Sequence, residues 1–193
     1  MADKNLTSLL RRLQNVSDEH LKCGLKENQL EISEGKYSNA FSCYGVAGSI
    51  IKAAPGALGI PEEMPRKNSA AIQVVASTVF EAYTALVYMR SEHLERGLDK
   101  VADDSPLAPF RDAFRLGCQK RGDDSLVQHL RNALCHGTFD FDDNDPKIHF
   151  EDRGWELTVP YQDLIDLCLQ VFRLYSRAFE IDHPKFRLPD KPN

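Results

Sequence analysis

Apolar residues recur at every third or fourth position along most of the chain, which is the spacing of an amphipathic α-helix. The first such segment covers residues 5–25 and places on one face Leu6, Leu9, Leu10, Leu13 and Val16. A second helix is predicted at residues 39–54, with Pro55 and Gly56 at its end. Residues 55–68 contain three prolines and two glycines, and therefore predict a loop.

The strongest helical pattern covers Ser69–Gly97, where apolar residues surround the helix except for a narrow polar stripe that includes Glu81. A helix that is apolar on nearly all sides is typical of the centre of a bundle. Residues 106–118 predict a further helix, on which Arg111 and Arg115 lie one turn apart.

Residues 123–136 predict a helix, and Gly137 stands where a glycine commonly follows a helix end. The period then changes, because Thr138–Phe141 and Lys147–Phe150 alternate between apolar and polar residues. This alternation predicts a β-hairpin closed by an acidic turn that contains Asp142, Asp143 and Asp145. The side chains expected to turn inward are Phe139, Phe141, Ile148 and Phe150.

Residues 155–159 can extend this hairpin region, which then covers about residues 138–159. A long amphipathic helix follows at Tyr161–Phe179, and the proline-rich tail, residues 181–193, is predicted to be irregular. The pattern as a whole predicts an all-α fold, an up-and-down helical bundle with a small β-hairpin inserted before the last helix. Residues 1–180 are expected to form one domain, which suits a chain of 193 residues.

Composition adds few constraints to this picture. The net charge of −5 provides no global basic field for nucleic acid, so an RNA-binding surface would have to be local. The five cysteines are scattered and contain no CxxC pair, which favours a reducing compartment and argues against a disulfide framework or a thiolate metal site. Neither a signal peptide nor a membrane-spanning run is recognisable, so a cytoplasmic protein is expected. No metal-ligand spacing or phosphate-binding glycine loop is recognisable either, so no metal or cofactor is expected.

The motif segment, residues 131–137, reads RNALCHG and contains the most distinctive side chains of the chain. At about 100° per residue, Asn132 and His136 are neighbours on the helix surface, whereas Arg131 and His136 diverge by roughly 140°. The long Arg131 side chain covers part of that gap. A second copy of the helix, packed across a two-fold axis, could close the remainder.

The motif segment resembles the R-x4-H signature of the HEPN superfamily. The helices before and after it, over about residues 69–180, agree with that family, and the hairpin resembles the branch associated with plasmids, defence and toxin–antitoxin loci. The resemblance implies a helical bundle, a homodimer and metal-independent cleavage of RNA. It also implies catalytic roles for Arg131, Asn132 and His136, and an antitoxin or a nucleotidyltransferase as partner.

The implied chemistry is physically reasonable. Cleavage of RNA without a metal requires deprotonation of the 2′-hydroxyl group and stabilisation of charge at the phosphate. Histidine can transfer the proton, and arginine offers a planar, permanently charged fork to phosphate oxygens. Asn132 would orient His136 or bind the phosphate, and the products would be a 2′,3′-cyclic phosphate and a 5′-hydroxyl group.

Other interpretations remain open on the sequence. Cationic residues are favoured in the last turn of any helix, so the motif segment could be ordinary helix-end chemistry in an unrelated helical interaction protein. A non-catalytic HEPN-like module that binds a nucleotide or a protein is the main alternative. Glu81 could pair with Arg131 or could face solvent. The candidate RNA contacts, which could equally form a solvated face, are Arg111, Arg115, Arg173 and Arg177.

Overall fold

The computed structural model describes residues 2–30, 32, 78–79, 81–114, 126–141 and 147–183. This part of the chain is mostly helical, and a three-stranded antiparallel sheet precedes the last helix. Several predictions lie outside the described residues, namely the helix at 39–54, the loop at 55–68, the acidic turn with Asp142, Asp143 and Asp145, Arg115, and the tail from residue 184.

The N-terminal pattern forms two helices where the sequence predicted one. Helix α1 covers Ala2–Gln14 and helix α2 covers Asp18–Glu27. The break occurs because Ser17 is the N-cap of α2. Its backbone is extended, and its side-chain oxygen accepts a hydrogen bond from the His20 N–H at 3.2 Å. The apolar face is buried as predicted at Leu6, Leu10, Leu13 and Val16.

The predicted central helix is helical where it is described, but Tyr83–Leu94 is wound as a π-helix, with hydrogen bonds between residues five apart. A short helix α3, Glu95–Leu98, continues it, and helix α4 covers Ala108–Phe114. The buried residues of this region include Ala82, Ala85, Leu86 and Leu94. An apolar pattern on nearly all sides predicts burial but does not determine the number of residues per turn.

The predicted hairpin is present and has a third strand. Strands β1, β2 and β3 cover Phe139–Phe141, Lys147–Asp152 and Trp155–Pro160, with β2 in the middle. Arg153 and Gly154 connect β2 to β3 with φ of 52° and 82°, the positive pair that a tight two-residue hairpin turn requires.

The inner face of the sheet carries Ile148, Phe150, Leu157 and Val159, all essentially inaccessible to solvent. Phe139 is half-buried and packs against Phe150 with ring centroids 6.2 Å apart, whereas the side chain of Phe141 lies outside the described residues. The hairpin therefore packs on the helical part of the molecule, as the alternation predicted.

Helix α5 covers Leu126–His136 and carries the motif segment, and helix α6 covers Tyr161–Asp182. Helix α5 lies between strand β2 and the π-helix, and its buried residues are Val127, Leu130, Ala133 and Leu134. Helix α6 packs against α1, α2 and the π-helix. Within the described ranges, no helix combines the length and the apolar character needed to cross a membrane.

Candidate functional site

The end of helix α5 is fixed by backbone geometry at Gly137. This glycine has a φ of 68°, and the N–H of Thr138 donates to the carbonyl of Ala133 at 3.0 Å. That six-residue closure is the glycine-terminated helix end that the sequence predicted. The Glu151 N–H donates back to the carbonyl of Thr138 at 2.9 Å, so strand β2 holds the residues that directly follow the motif helix.

Arg131 is half-buried, and its guanidinium group is held by the neighbouring side chain. Its Nη1 donates to Oδ1 of Asn132 at 3.1 Å. The same oxygen accepts from Nε2 of Gln128, one turn earlier, at 3.1 Å. An amide oxygen has two lone pairs, and both are used here.

The other half of the Asn132 amide faces the sheet. Its Nδ2 donates to Oδ2 of Asp152 at 3.0 Å, and Nδ1 of His129 lies 2.9 Å from the same carboxylate oxygen. Asp152 stands at the end of β2 and is only 7% exposed. His129 stacks on Trp155 with ring centroids 4.7 Å apart and an angle of 11° between the planes. A buried carboxylate thus joins two side chains of the motif helix.

The electrostatic balance at Asp152 favours the ionised form. Burial acts to raise the pKa of this carboxyl group, but the hydrogen bonds from Asn132 and His129 and the charges of His129 and Arg153 outweigh it, so the pKa lies below its usual value. The ionised carboxylate can only accept hydrogen bonds. Its contact with His129 therefore requires a proton on Nδ1, which leaves Nε2 as the acceptor when the imidazole is neutral.

His136 is exposed at the end of α5, whereas Asn132 is half-buried and turned towards the sheet. The hydrogen bonds of the Asn132 side chain go to Arg131, Gln128 and Asp152, so in this conformation Asn132 orients the arginine and not the histidine. Arg131 reaches its partner by folding over the helix surface, as its long stem allows.

Glu81 lies at the start of the described central segment, close enough to helix α6 to influence Cys168. Burial, together with the negative charge of Glu81, raises the pKa of that thiol far above its usual value. Cys168 is therefore an inert, protonated core residue. Whether Glu81 pairs with Arg131 or faces solvent stays open, as on the sequence; the hydrogen bond that the structure gives to Arg131 is the one to Asn132.

The three candidate RNA-binding arginines that the structure describes all have carboxylate partners. Arg111 pairs with Asp103 at 2.8 Å and with Asp112 at 2.8 Å, and its Nη1 donates to the carbonyl of Val101. Arg173 and Arg177 both bind Asp18, at 2.7 and 2.8 Å. These contacts hold α4 against the preceding loop and α6 against α2. A role of the three arginines in RNA binding stays a prediction.

Asp152 is the residue of this site that the sequence interpretation missed. The segment DRGW around it resembles an ordinary turn, and acidic residues are common there. A usable signal was nevertheless present, because Ile148, Phe150 and Asp152 are two residues apart and share the inward face of β2. A carboxylate on an apolar face has to find donors, and α5 supplies them.

Comparison with known proteins gives no further information on the site, because no protein-family model, no curated protein and no solved structure matches this chain. Among the described residues, no group of three or more histidine, cysteine, aspartate or glutamate side chains is arranged to hold a metal ion.

Proposed function

We propose that this protein is a HEPN-type, metal-independent endoribonuclease whose site combines Arg131 and His136 from two copies of the chain. The observation that carries the proposal is the state of these two side chains at the end of one helix. Arg131 is held by Asn132, while His136 is exposed directly before the turn at Gly137. A guanidinium group held by a hydrogen bond and an exposed imidazole, carried by one helix, suit phosphate binding and proton transfer once a second copy of the helix brings such groups together.

In the proposed reaction, His136 accepts the proton of the 2′-hydroxyl group as its oxygen attacks the adjacent phosphorus. The bond from phosphorus to the 5′-oxygen breaks, and the leaving oxygen takes up a proton from solvent, to which His136 then returns the proton it has accepted. The Arg131 guanidinium group stabilises the charge that develops on the phosphate oxygens. The products are a 2′,3′-cyclic phosphate and a 5′-hydroxyl group.

The dimer is part of the proposal because the helical period places Arg131 and His136 on diverging sides of α5, roughly 140° apart. Packing of two motif helices across a two-fold axis would bring the arginine of one chain towards the histidine of its partner. An up-and-down bundle, a cytoplasmic location and a protein partner that restrains the nuclease, such as an antitoxin, belong to the same proposal.

The test is an RNA-cleavage assay performed both with and without chelator. We expect the wild type to cleave RNA, and His136→Ala and Arg131→Ala each to abolish cleavage while circular dichroism remains unchanged. The arginine substitution should cost about 3 kcal/mol of transition-state stabilisation, as for loss of one oxyanion donor. Arg131→Lys should not restore the rate, because an ammonium group lacks the planar fork.

Two results would contradict the proposal. Cleavage that disappears with chelator indicates a different enzyme in the preparation, and cleavage that survives His136→Ala indicates a different site. A wild type that binds RNA or nucleotides without cleaving them would favour a non-catalytic module.

A further inference from the structure

Two consecutive side-chain hydrogen bonds connect the sheet to Arg131 of helix α5. Asp152 Oδ2 accepts from Asn132 Nδ2 at 3.0 Å, and Asn132 Oδ1 accepts from Arg131 Nη1 at 3.1 Å. Every link has a defined donor and acceptor. This pair of hydrogen bonds begins at Asp152, a buried residue of β2, and ends at Arg131, which is half-buried.

Asp152 determines which atom of the Asn132 amide donates and which accepts. An asparagine amide can present either its oxygen or its nitrogen to a neighbour, and the two arrangements are nearly equal in shape. A carboxylate oxygen repels the amide oxygen and binds the amide nitrogen, so only one arrangement is compatible with Asp152. That arrangement turns Oδ1 away from the sheet, towards the donors of Arg131 and Gln128.

The carboxylate is itself held in place. His129 donates to the same Oδ2 and is stacked on Trp155, which is the cross-strand partner of Asp152. The Asp152 carboxylate is therefore held in place by His129 of α5, and His129 is held in turn by Trp155 of β3. Rigid support of this kind is what a catalytic group needs, because small displacements of a positioned group cost large factors in rate.

We propose that Asp152 is the positioning residue of the site, which fixes the amide orientation of Asn132 and through it the place of the Arg131 guanidinium group. Asp152 does not touch the substrate in this arrangement. The consequence for cleavage rests on the proposed function, whereas the consequence for Asn132 and Arg131 can be measured without any activity.

Two substitutions of Asp152 separate its hydrogen-bond acceptor from its charge. Asp152→Asn and Asp152→Leu both remove the charge and keep the branching at Cγ, but only the asparagine can still present an oxygen to Asn132. We expect kcat to fall roughly 10- to 100-fold in the leucine variant with KM little changed, and the asparagine variant to retain most of the rate. Glu151→Gln, at an exposed neighbour on the opposite face of β2, is the matched control and should leave kcat unchanged.

A double-substitution experiment identifies the route of the effect. If Asp152 acts through Asn132, Asp152→Leu should cause no further loss of kcat in an Asn132→Ala background. An equal loss in both backgrounds would overturn the proposal, since it would place the effect in packing or in His129. Equal rates for the leucine and asparagine variants would overturn it as well.

The measurement that needs no activity is NMR of the side-chain signals. We expect the Asn132 Nδ2 protons of the wild type to exchange with solvent more slowly than those of the exposed Asn15, and the Arg131 guanidinium signals to shift in Asp152→Leu but not in Glu151→Gln. Exchange as fast as that of Asn15 overturns the proposal, even if the leucine variant does not fold. If the wild type does not cleave RNA but these signals behave as expected, the proposed function fails and the positioning role stands.

Discussion

Asn132 and Asp152 are 20 residues apart in the chain, and the 3.0 Å hydrogen bond between Nδ2 and Oδ2 ties the motif helix to the sheet. The contact is partly shielded from solvent, because Asp152 is only 7% exposed and Asn132 is half-buried. Strand β2 therefore contributes to the site although none of its residues belongs to the motif segment. The hairpin, whose apolar side chains the sequence predicted to turn inward, also carries a polar contact to helix α5.

Asp152 should contribute to the acid stability of the protein. Its pKa is lowered in the folded state relative to the ordinary value of 3.8, so the unfolded chain takes up its proton at a higher pH than the folded chain does. The stabilisation is complete above pH 3.8 and is lost as the pH falls through the lowered folded pKa. In Asp152→Asn, the free energy of unfolding should therefore fall less steeply with acid in this range.

This prediction is checked by urea unfolding at a series of pH values below 5, with Glu151→Gln as the control for removal of a surface carboxylate. A pH dependence in Asp152→Asn equal to that of the wild type would mean that the carboxylate has no favourable interaction in the fold.

Gly137 should resist substitution for conformational reasons. A Cβ atom at this position would meet no atom within 4 Å, so space is not the constraint, but the φ of 68° is unfavourable for residues with a side chain. Gly137→Ala should cost about 1 kcal/mol of unfolding free energy, and Gly137→Asn less, because asparagine tolerates this conformation better. Thermal unfolding of the two variants tests the order, and equal stability of Gly137→Ala and wild type would contradict it.

Local signals in the sequence were sufficient for much of this region. Helix α5, the glycine at its end and the alternating strands were predicted because each depends on residues a few positions apart. The same reasoning could have found the break between α1 and α2, since Ser17 followed by two acidic residues is a common start of a helix. The π-helix could not be predicted, because its apolar residues occupy nearly all sides and define no period.

The polar contacts of the site depended on tertiary structure. Asp152 meets His129 and Asn132 only because β2 lies along α5, and no spacing in the sequence encodes which donor a distant carboxylate will reach. Arg173 and Arg177 similarly lie one turn apart on one face of a helix. From the sequence, arginines that contact nucleic acid cannot be distinguished there from arginines that form ion pairs. Their common partner, Asp18, lies more than 150 residues away in the chain.

Arg177 should matter for stability more than for RNA. Its Nη1 binds the carboxylate of Glu180 at 2.7 Å, and Glu180 is only 8% exposed. Among the residues that the structure describes, Arg177→Ala would leave that carboxylate with Lys22, at 3.5 Å, as its ion-pair partner, and the change should cost about 2 kcal/mol of unfolding free energy. The affinity for RNA should change little, whereas a weaker dependence of RNA binding on salt in this variant would show that Arg177 contacts phosphate.

The proposed composite site leads to a prediction that does not hold for a site within a single chain. Arg131→Ala and His136→Ala should each be inactive as homodimers. If the arginine of one chain works with the histidine of its partner, a mixed dimer of the two variants contains one intact pair and one pair in which both groups are missing. Random exchange produces mixed dimers in half of the population, so activity should return to about a quarter of the wild-type value.

The measurement is the cleavage rate after the two variants are refolded together, with a mixture of Arg131→Ala and Arg131→Ala/His136→Ala as the inactive control. A monomer in sedimentation experiments, or a mixture that stays inactive although mixed dimers are detected by mass, would contradict a site shared in this way.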